Sequence, residues 1–477
     1  MTQKVIPIVT QPLDEVMVSL YEAQKKIYPR SVSGFFSKWR WGMIWLTQIV
    51  FYGLPWLEWG QRQAVLFDLA SRRFYLFGLV LYPQDLIYLT GILVISALSL
   101  FLFTAVAGRL WCGFSCPQTV YTEIFLWIER KIEGDRAARM RLDNLPLTSE
   151  KALKKGLKHL VWVALALWTG LTLVGYFTSI RELLLSFEQA NLGPWESFWV
   201  FFYGFATYGN AGFMREQVCK YMCPYARFQS AMFDHDTLIV TYDNDRGEPR
   251  GRRARAADQK SIGLGSCIDC TLCVQVCPTG IDIRDGLQYE CIGCGACADV
   301  CDSVMDKMGY MRGLVKFSTQ NAIAQKWTQH EILQRVLRPR VLIYAIILLV
   351  LCIGLALSLE LRSPFMVDVI RDRGVMSRVV DGDKLENLYR MQIMNTTEKL
   401  QHYRISASGL NGLAIESDGD ESNGLVMIGA AQSQWVTIHL QIPQESAEPG
   451  SHPIQFVVQA LDSPDHVSER AIFLVPR

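Results

Sequence analysis

The sequence predicts an α-helical membrane protein with a cysteine-rich insertion and an all-β domain at its C-terminal end. Three observations carry that prediction. Half of the 477 residues are hydrophobic, and many of them gather into runs about as long as a bilayer is thick. Twelve of the 13 cysteines lie between positions 112 and 301, in short regular spacings. From about 367 onward, long apolar runs give way to short alternating ones.

Lys plus Arg (47) nearly balance Asp plus Glu (46), so there is no basic footprint for nucleic acid and none is expected as a partner. No cysteine falls in the last 125 residues. Disulfides stapling a secreted domain would be spread differently, and the clustering reads as metal ligation in a reducing compartment.

Residues 1–40 are polar, with an amphipathic run of Val16, Met17, Leu20, Tyr21 and Ile27. They lack the apolar core of a cleaved signal peptide and are expected to stay in the cytoplasm. Five segments approach the roughly 20 apolar residues that a spanning helix needs: about 41–58, 86–107, 159–178, 195–213 and 341–360. The fourth contains Asn210 and several Gly, so an irregular end is expected there. Lys and Arg number six in 1–40, three in 59–85, ten in 108–158, one in 179–194 and 17 in 214–340. Positive charge collects on the cytoplasmic side. The alternation therefore predicts a four-helix region over 41–213, a cytoplasmic region over 214–340, a fifth helix over 341–360 and a domain on the outside over 361–477.

In that last domain, “LYRMQIMN”, “GLVMIGA”, “WVTIHLQIP”, “PIQFVVQAL” and “RAIFLVP” alternate between turn-rich clusters. About 110 residues of this pattern predict an antiparallel β-sandwich. No catalytic constellation is visible in it, which is the composition of a binding or docking module.

The strongest chemical signal is “CIDCTLCVQVCPTG” from 267 followed by “CIGCGACADVCD” from 291. Each is a C-x2-C-x2-C-x3-C run, the pattern in which three close thiolates and a fourth from the other run enclose an iron–sulfur cubane. By that pattern Cys267, Cys270, Cys273 and Cys301 hold one [4Fe–4S] cluster, and Cys291, Cys294, Cys297 and Cys277 hold the other, in a bacterial-type ferredoxin domain over about 260–305. Asp302 stands where a proline is usual, which removes no thiolate. Zinc ribbons instead favour two separated C-x2-C pairs.

Two further pairs sit at the ends of the second and fourth apolar segments. “RLWCGFSCPQTVY” carries Cys112 and Cys116, and “REQVCKYMCPYARF” carries Cys219 and Cys223. Each pair follows an arginine, Arg109 or Arg215, and is closed by a proline, so the two read as an internal repeat that could bring four thiols together. Cysteines at i and i+4 are expected to share a helix face, with the proline at a helix start or break. Soft thiolates, with Met222 nearby, suit copper(I). Packing, a redox disulfide and a further iron–sulfur cluster are the other readings of the same residues. Cys352, midway along the fifth span, reads as packing, and “RGRRAR” at 250–255 as a solvated or headgroup-facing loop.

These motifs, together with “KIYPRSVSGFFSKWRWG” and “YDNDRGEPRG”, resemble the FixG/RdxA/CcoG family of membrane polyferredoxins, accessory proteins for cbb3-type cytochrome c oxidase. The resemblance covers nearly the whole chain. It implies an immunoglobulin-like C-terminal domain and cupric reductase activity that turns copper(II) into copper(I) for the oxidase. The implied location is a bacterial inner membrane with the last domain in the periplasm, and the implied partners are oxidase assembly factors or copper chaperones and a cytoplasmic electron donor that the sequence does not identify. The four cysteines of the pairs are then the candidate copper-handling, catalytic site. A quinol-linked respiratory electron-transfer subunit and a non-enzymatic assembly scaffold are the competing readings.

Eight thiolates at this spacing predict about eight iron atoms per chain in anaerobically purified protein, with coupled cluster signals in EPR after reduction. Zinc in place of iron would overturn the electron-transfer reading.

Overall fold

A computed structural model of the chain describes residues 26–60, 62–255, 263–372, 377–380, 384–417, 424–446 and 448–476. Of the amphipathic N-terminal run, only Ile27 falls within them. The helices of the first half are α1 (Phe35–Gly53), α2 (Leu86–Ala107), α3 (Leu110–Phe114), α4 (Pro117–Glu133), α5 (Arg136–Asn144), α6 (Ser149–Val174), α7 (Ile180–Glu188), α8 (Pro194–Gly209) and α9 (Pro224–Met232). Among the described residues, three helices are long and apolar enough to cross a membrane: Pro83–Ala107, Ser149–Val174 and Pro339–Glu360. The other two expected spans are also helical. α1 has 19 residues, and α8 has 16 before a π-helical turn at Asn210–Met214 continues it. That turn is the irregular end expected at Asn210.

α6 and α8 cross closely because both carry glycine at the contact. A Cβ on Gly170 would lie 2.3 Å from the Val200 carbonyl oxygen, so only hydrogen fits there. Below the crossing, Phe125 of α4 stacks on Trp162 of α6, with ring centroids 5.0 Å apart.

The chain between α1 and α2 forms a small antiparallel sheet, β1 (Val65–Asp68), β2 (Arg73–Leu76) and β3 (Leu79–Leu81). Its strands of three or four residues are too short for alternation to announce them. Tyr75, Val80 and Tyr82 from this segment pack with Met394 and Ala431 of the C-terminal domain. Asp85 pairs with Arg362 at 2.5 Å and Glu398 with Arg62 at 2.7 Å. The root of the C-terminal domain is therefore seated on the α1–α2 connection.

Between α9 and the last membrane helix, β4 (Ile239–Tyr242) pairs antiparallel with β5 (Val315–Ser318). The two ferredoxin-like cysteine runs lie between these strands, each leading into a helix, α10 (Leu272–Val276) or α11 (Ala296–Met308). Asp299 of α11 reaches back to the start of α1, where its carboxylate accepts the backbone N–H of Phe36 (3.1 Å) and Ser37 (2.7 Å). These are free donors of a first helical turn, so an acid from the insertion caps a helix far away in sequence.

α12 (Pro339–Glu360) packs along α2, where the Tyr88 hydroxyl donates to the Ser358 carbonyl at 3.2 Å. Cys352 is exposed on α12, contrary to the expectation that it packs. The physical reason is that little of this helix is covered by other parts of the chain. In the basic run, Arg253 is folded in rather than solvated: it donates to the Tyr310 hydroxyl at 3.0 Å and to the Gly265 carbonyl at 2.6 Å.

The C-terminal domain is the expected sandwich. Its strands are β6 (Phe365–Arg371), β7 (Arg378–Val380), β8 (Lys384–Asn395), β9 (Gln401–Ser408), β10 (Ala414–Ser417), β11 (Leu425–Ile428), β12 (Ser433–Pro443), β13 (Gly450–Ala460) and β14 (His466–Val475). One sheet runs β10-β12-β8-β6, with β7 also on β8, and the other β11-β9-β13-β14. Alternate residues Tyr389, Met391 and Ile393 of β8 and Ile438, Leu440 and Ile442 of β12 join Phe456, Val458 and Phe473 in one buried core.

Because the α1–α2 connection and the sandwich bury residues against each other, they must share one side of the membrane. Reporter fusions after Arg362 and after Met308 are expected to report opposite sides. The same side for both would remove α12 as a span.

Candidate metal centre

The two cysteine runs fold into two cages that exchange one residue each. Cys267, Cys270, Cys273 and Cys301 line one small cavity, walled by Leu272, Val304 and Leu314. Cys277, Cys291, Cys294 and Cys297 line the next, with Ile281 and Ile292, and Cys273 borders this second cage as well. Burial pushes the Cys301 and Cys291 thiols up to about 12 and the Cys273 thiol up to about 11. Such thiols stay protonated at neutral pH unless a bound cation replaces the proton. Four sulfur donors in an apolar wall are a fitting donor set for an iron–sulfur cubane.

The two C-x3-C-P segments adopt the same turn. The Cys116 N–H donates to the Trp111 carbonyl at 3.0 Å and the Cys223 N–H to the Val218 carbonyl at 2.8 Å, five residues back in each case. Pro117 and Pro224 then begin α4 and α9, with Cys116 and Cys223 as the extended residues just before. The expected shared helix face is therefore corrected: Cys112 lies in α3 and Cys219 in a π-helical turn, while their partners lie beyond the helical turn. The proline ring disfavours helical backbone in the residue before it, which puts a corner between the two cysteines of each pair.

The corner brings the pairs together. The other three thiols of this set, Cys116, Cys219 and Cys223, are all close enough to influence Cys112 electrostatically. Burial pushes Cys112 and Cys219 up to about 12. The Cys112 thiol donates to Gln229 Oε1 at 3.3 Å, and Gln229 donates to the Thr104 hydroxyl, also at 3.3 Å. Met222, the remaining candidate ligand, is 56% exposed.

This quartet sits directly on the second cage. Cys112 and Cys219 pack in one cluster with Cys294 and Cys297. A Cβ on Gly113 would lie 2.8 Å from the Cys294 backbone and from the Gly293 carbonyl oxygen, so the approach is backbone to backbone. Arg109 is buried and donates to the Tyr289 carbonyl on one side and the Ala226 carbonyl on the other, tying the cage loop to α9. Arg215 meets Glu129 at 3.0 Å, and Glu129 also meets Arg139 at 3.0 Å and Lys158 at 3.5 Å. Burial alone would raise the Glu129 carboxyl, yet Arg215, Lys158 and Arg139 hold it below the usual carboxylate range. Sequence inspection passes over Gly113, Asp299 and Gln229. A glycine between two cysteines of one short motif is the available signal for the first, and the other two leave none.

Comparison with known proteins accords with this geometry. Family models match residues 214–320 as a 4Fe-4S dicluster domain, 89–134 as a 4Fe-4S binding domain and 355–476 as the IG-like fold at the C-terminal of FixG. The chain is 38% identical over 431 residues to the nitrogen fixation protein FixG of Rhizobium meliloti, covering 84% of this chain and 82% of that one. It is 38% identical over 436 residues to protein RdxA of Cereibacter sphaeroides, covering 90% and 91%. Protein RdxB of the same organism is 39% identical over 409 residues, covering 84% and 86%.

Substituting Gly113→Ala should force the quartet away from the second cage, costing about 1–3 kcal/mol. Hydrogen exchange is expected to rise at the amides of Gly293 and Cys294. Gly156→Ala, where an added Cβ meets nothing within 4 Å, should leave the exchange at Gly293 and Cys294 unchanged.

Proposed function

The chain belongs to the FixG/RdxA family, and we propose that it is a membrane-bound iron–sulfur electron-transfer protein that reduces copper(II) to copper(I) for the copper centre of a cbb3-type cytochrome c oxidase. The observation that carries the reading is the seating of the C-x3-C-P quartet on the second thiol cage. In the proposed assignment Cys267, Cys270, Cys273 and Cys301 hold one [4Fe–4S] cluster, and Cys277, Cys291, Cys294 and Cys297 hold the other. Such clusters supply one-electron carriage, and copper(II), as substrate, takes one electron to become copper(I).

The chain's own residues bring the redox groups together and shield them. Arg109 and the Gly113 backbone hold the quartet against the cage, and Gln229 fixes the Cys112 thiol. Once a bound cation displaces their protons, the four sulfurs are soft ligands, which suit copper(I) better than a hard ion. The proposed orientation has five spans, with α1 and α8 joining the three long helices, the cages in the cytoplasm and the sandwich in the periplasm. The excess of Lys and Arg in 108–158 and 214–340 supports it. Oxidase assembly factors or copper chaperones are the proposed partners of the sandwich.

A second reading gives the quartet a further iron–sulfur cluster. It is favoured by the 4Fe-4S binding match over 89–134, which includes Cys112 and Cys116. Double substitutions distinguish the two. With Cys219 and Cys223 changed to Ser, and separately Cys112 and Cys116, the copper reading predicts unchanged iron content. Copper(II)-dependent reoxidation should fall at least about tenfold as soft ligands are lost. Loss of about four iron atoms per chain in both variants would establish the further cluster. Undiminished reoxidation would remove the quartet from copper handling.

A further inference from the structure

The helical half of the protein contains a cavity of about 570 Å³ between α1, α4, α6 and α8, of a size that accepts a small organic ligand. One end is bordered by Trp111, Ser115 and Pro117, the turn that carries Cys112 and Cys116. The other end reaches Phe51 and Leu173, towards the far ends of α1 and α6. The cavity thus runs from within the helix bundle to the backbone of a candidate redox centre.

Its walls are mainly apolar and aromatic, with polar groups confined to a few positions. Tyr121 has its hydroxyl close to Tyr52, Thr169 and Gln48. Tyr52 and Thr169 are themselves 2.8 Å apart. Gln118 donates to the carbonyls of Asn210 (2.9 Å) and Arg215 (3.1 Å), joining this wall to the chain that leads to the second cysteine pair. Gln48 Oε1 is buried and has no hydrogen-bond partner. A buried acceptor left unmatched costs about 1–3 kcal/mol, and its place in the lining points to a ligand that brings an O–H.

We propose that this cavity binds the ring of a membrane quinol, with a ring hydroxyl donating to Gln48 Oε1 and the Tyr121 hydroxyl available to the oxidised carbonyl. A lipid acyl chain would fill the apolar part and leave Gln48 unmatched, whereas a quinol satisfies both. Oxidation breaks the two O–H bonds: two electrons leave singly for the iron–sulfur centres of the function proposed above, on which this inference rests, and two protons leave for water. The quinol is thus the reductant, reaching the protein through the bilayer.

The test uses the full-length, cluster-loaded protein in phospholipid nanodiscs, with a photoreactive azido-ubiquinone as probe and decylubiquinone as competitor. Label is expected on peptides containing residues 47–51 or 111–121 and should be displaced by decylubiquinone. Gln48→Leu should lower labelling roughly three- to tenfold, the effect of one lost hydrogen bond. Ala206→Trp, which fills the cavity, should abolish it while iron content and the dithionite-reduced cluster spectrum persist. If Ala206→Trp loses iron, the result with Gln48→Leu decides. Labelling elsewhere, insensitive to both variants, or displaced equally well by added phospholipid alone would overturn the proposal. Failure of copper(II) to reoxidise clusters in protein that binds the probe would sink the copper reading and leave the quinol site standing. Copper reduction from dithionite with no specific labelling would do the reverse.

Discussion

The arrangement depends on one close approach, the backbone of Gly113 against the backbone of Gly293 and Cys294. Without a side chain between them, the turn after α2 and the loop of the second thiol cage come into direct contact, and two sets of four cysteines become neighbours. Electron transfer weakens steeply with distance, so the thickness of a single side chain at this point matters to a redox protein. Arg109 strengthens the contact by donating to carbonyls on either side of it. The buried guanidinium also puts positive charge beside thiols that must become anionic when they bind metal.

Other contacts hold the insertion in the orientation that this approach requires. Asp299 caps α1 from α11, so the second cage is tied to the first helix as well as to the turn after the second. Glu129, surrounded by Arg215, Arg139 and Lys158, links the start of the second cysteine pair to α5 and α6. A buried ionic cluster of this kind contributes modest net stability against an apolar replacement. Removing one partner, in contrast, strands a charge and is strongly destabilising. Such a cluster specifies one arrangement of helices around the quartet. At the other end of the molecule, Arg362 with Asp85 and Arg62 with Glu398 anchor the sandwich to the α1–α2 connection. The C-terminal domain is thus coupled to the helices at two places.

Elements with long or strict periodicity were legible in the sequence. α2 and α12 are apolar all round, and the sandwich strands β8, β12, β13 and β14 are ten to twelve residues long and alternate along much of their length. The sheet β1–β3 left no such trace because its strands are only three or four residues long. The shared helix face expected for Cys112 and Cys116 failed for a local reason, since the proline after each pair makes the preceding cysteine extended. Cys352 was misread because its surroundings depend on what α12 packs against, and its own helix does not encode that.

The sequence by itself determined the ligand inventory: eight cysteines at ferredoxin spacing, two repeated C-x3-C-P pairs and a separate all-β domain. Ligand identity and spacing are properties of a short stretch of chain, set by bond lengths and turn geometry, and so can be read locally. Only the tertiary structure decided that the repeated pairs converge, that their quartet lies on the second cage and that a cavity between four helices ends at their turn. Each of these joins residues tens to hundreds of positions apart, and such proximity is produced by packing, which no local pattern records.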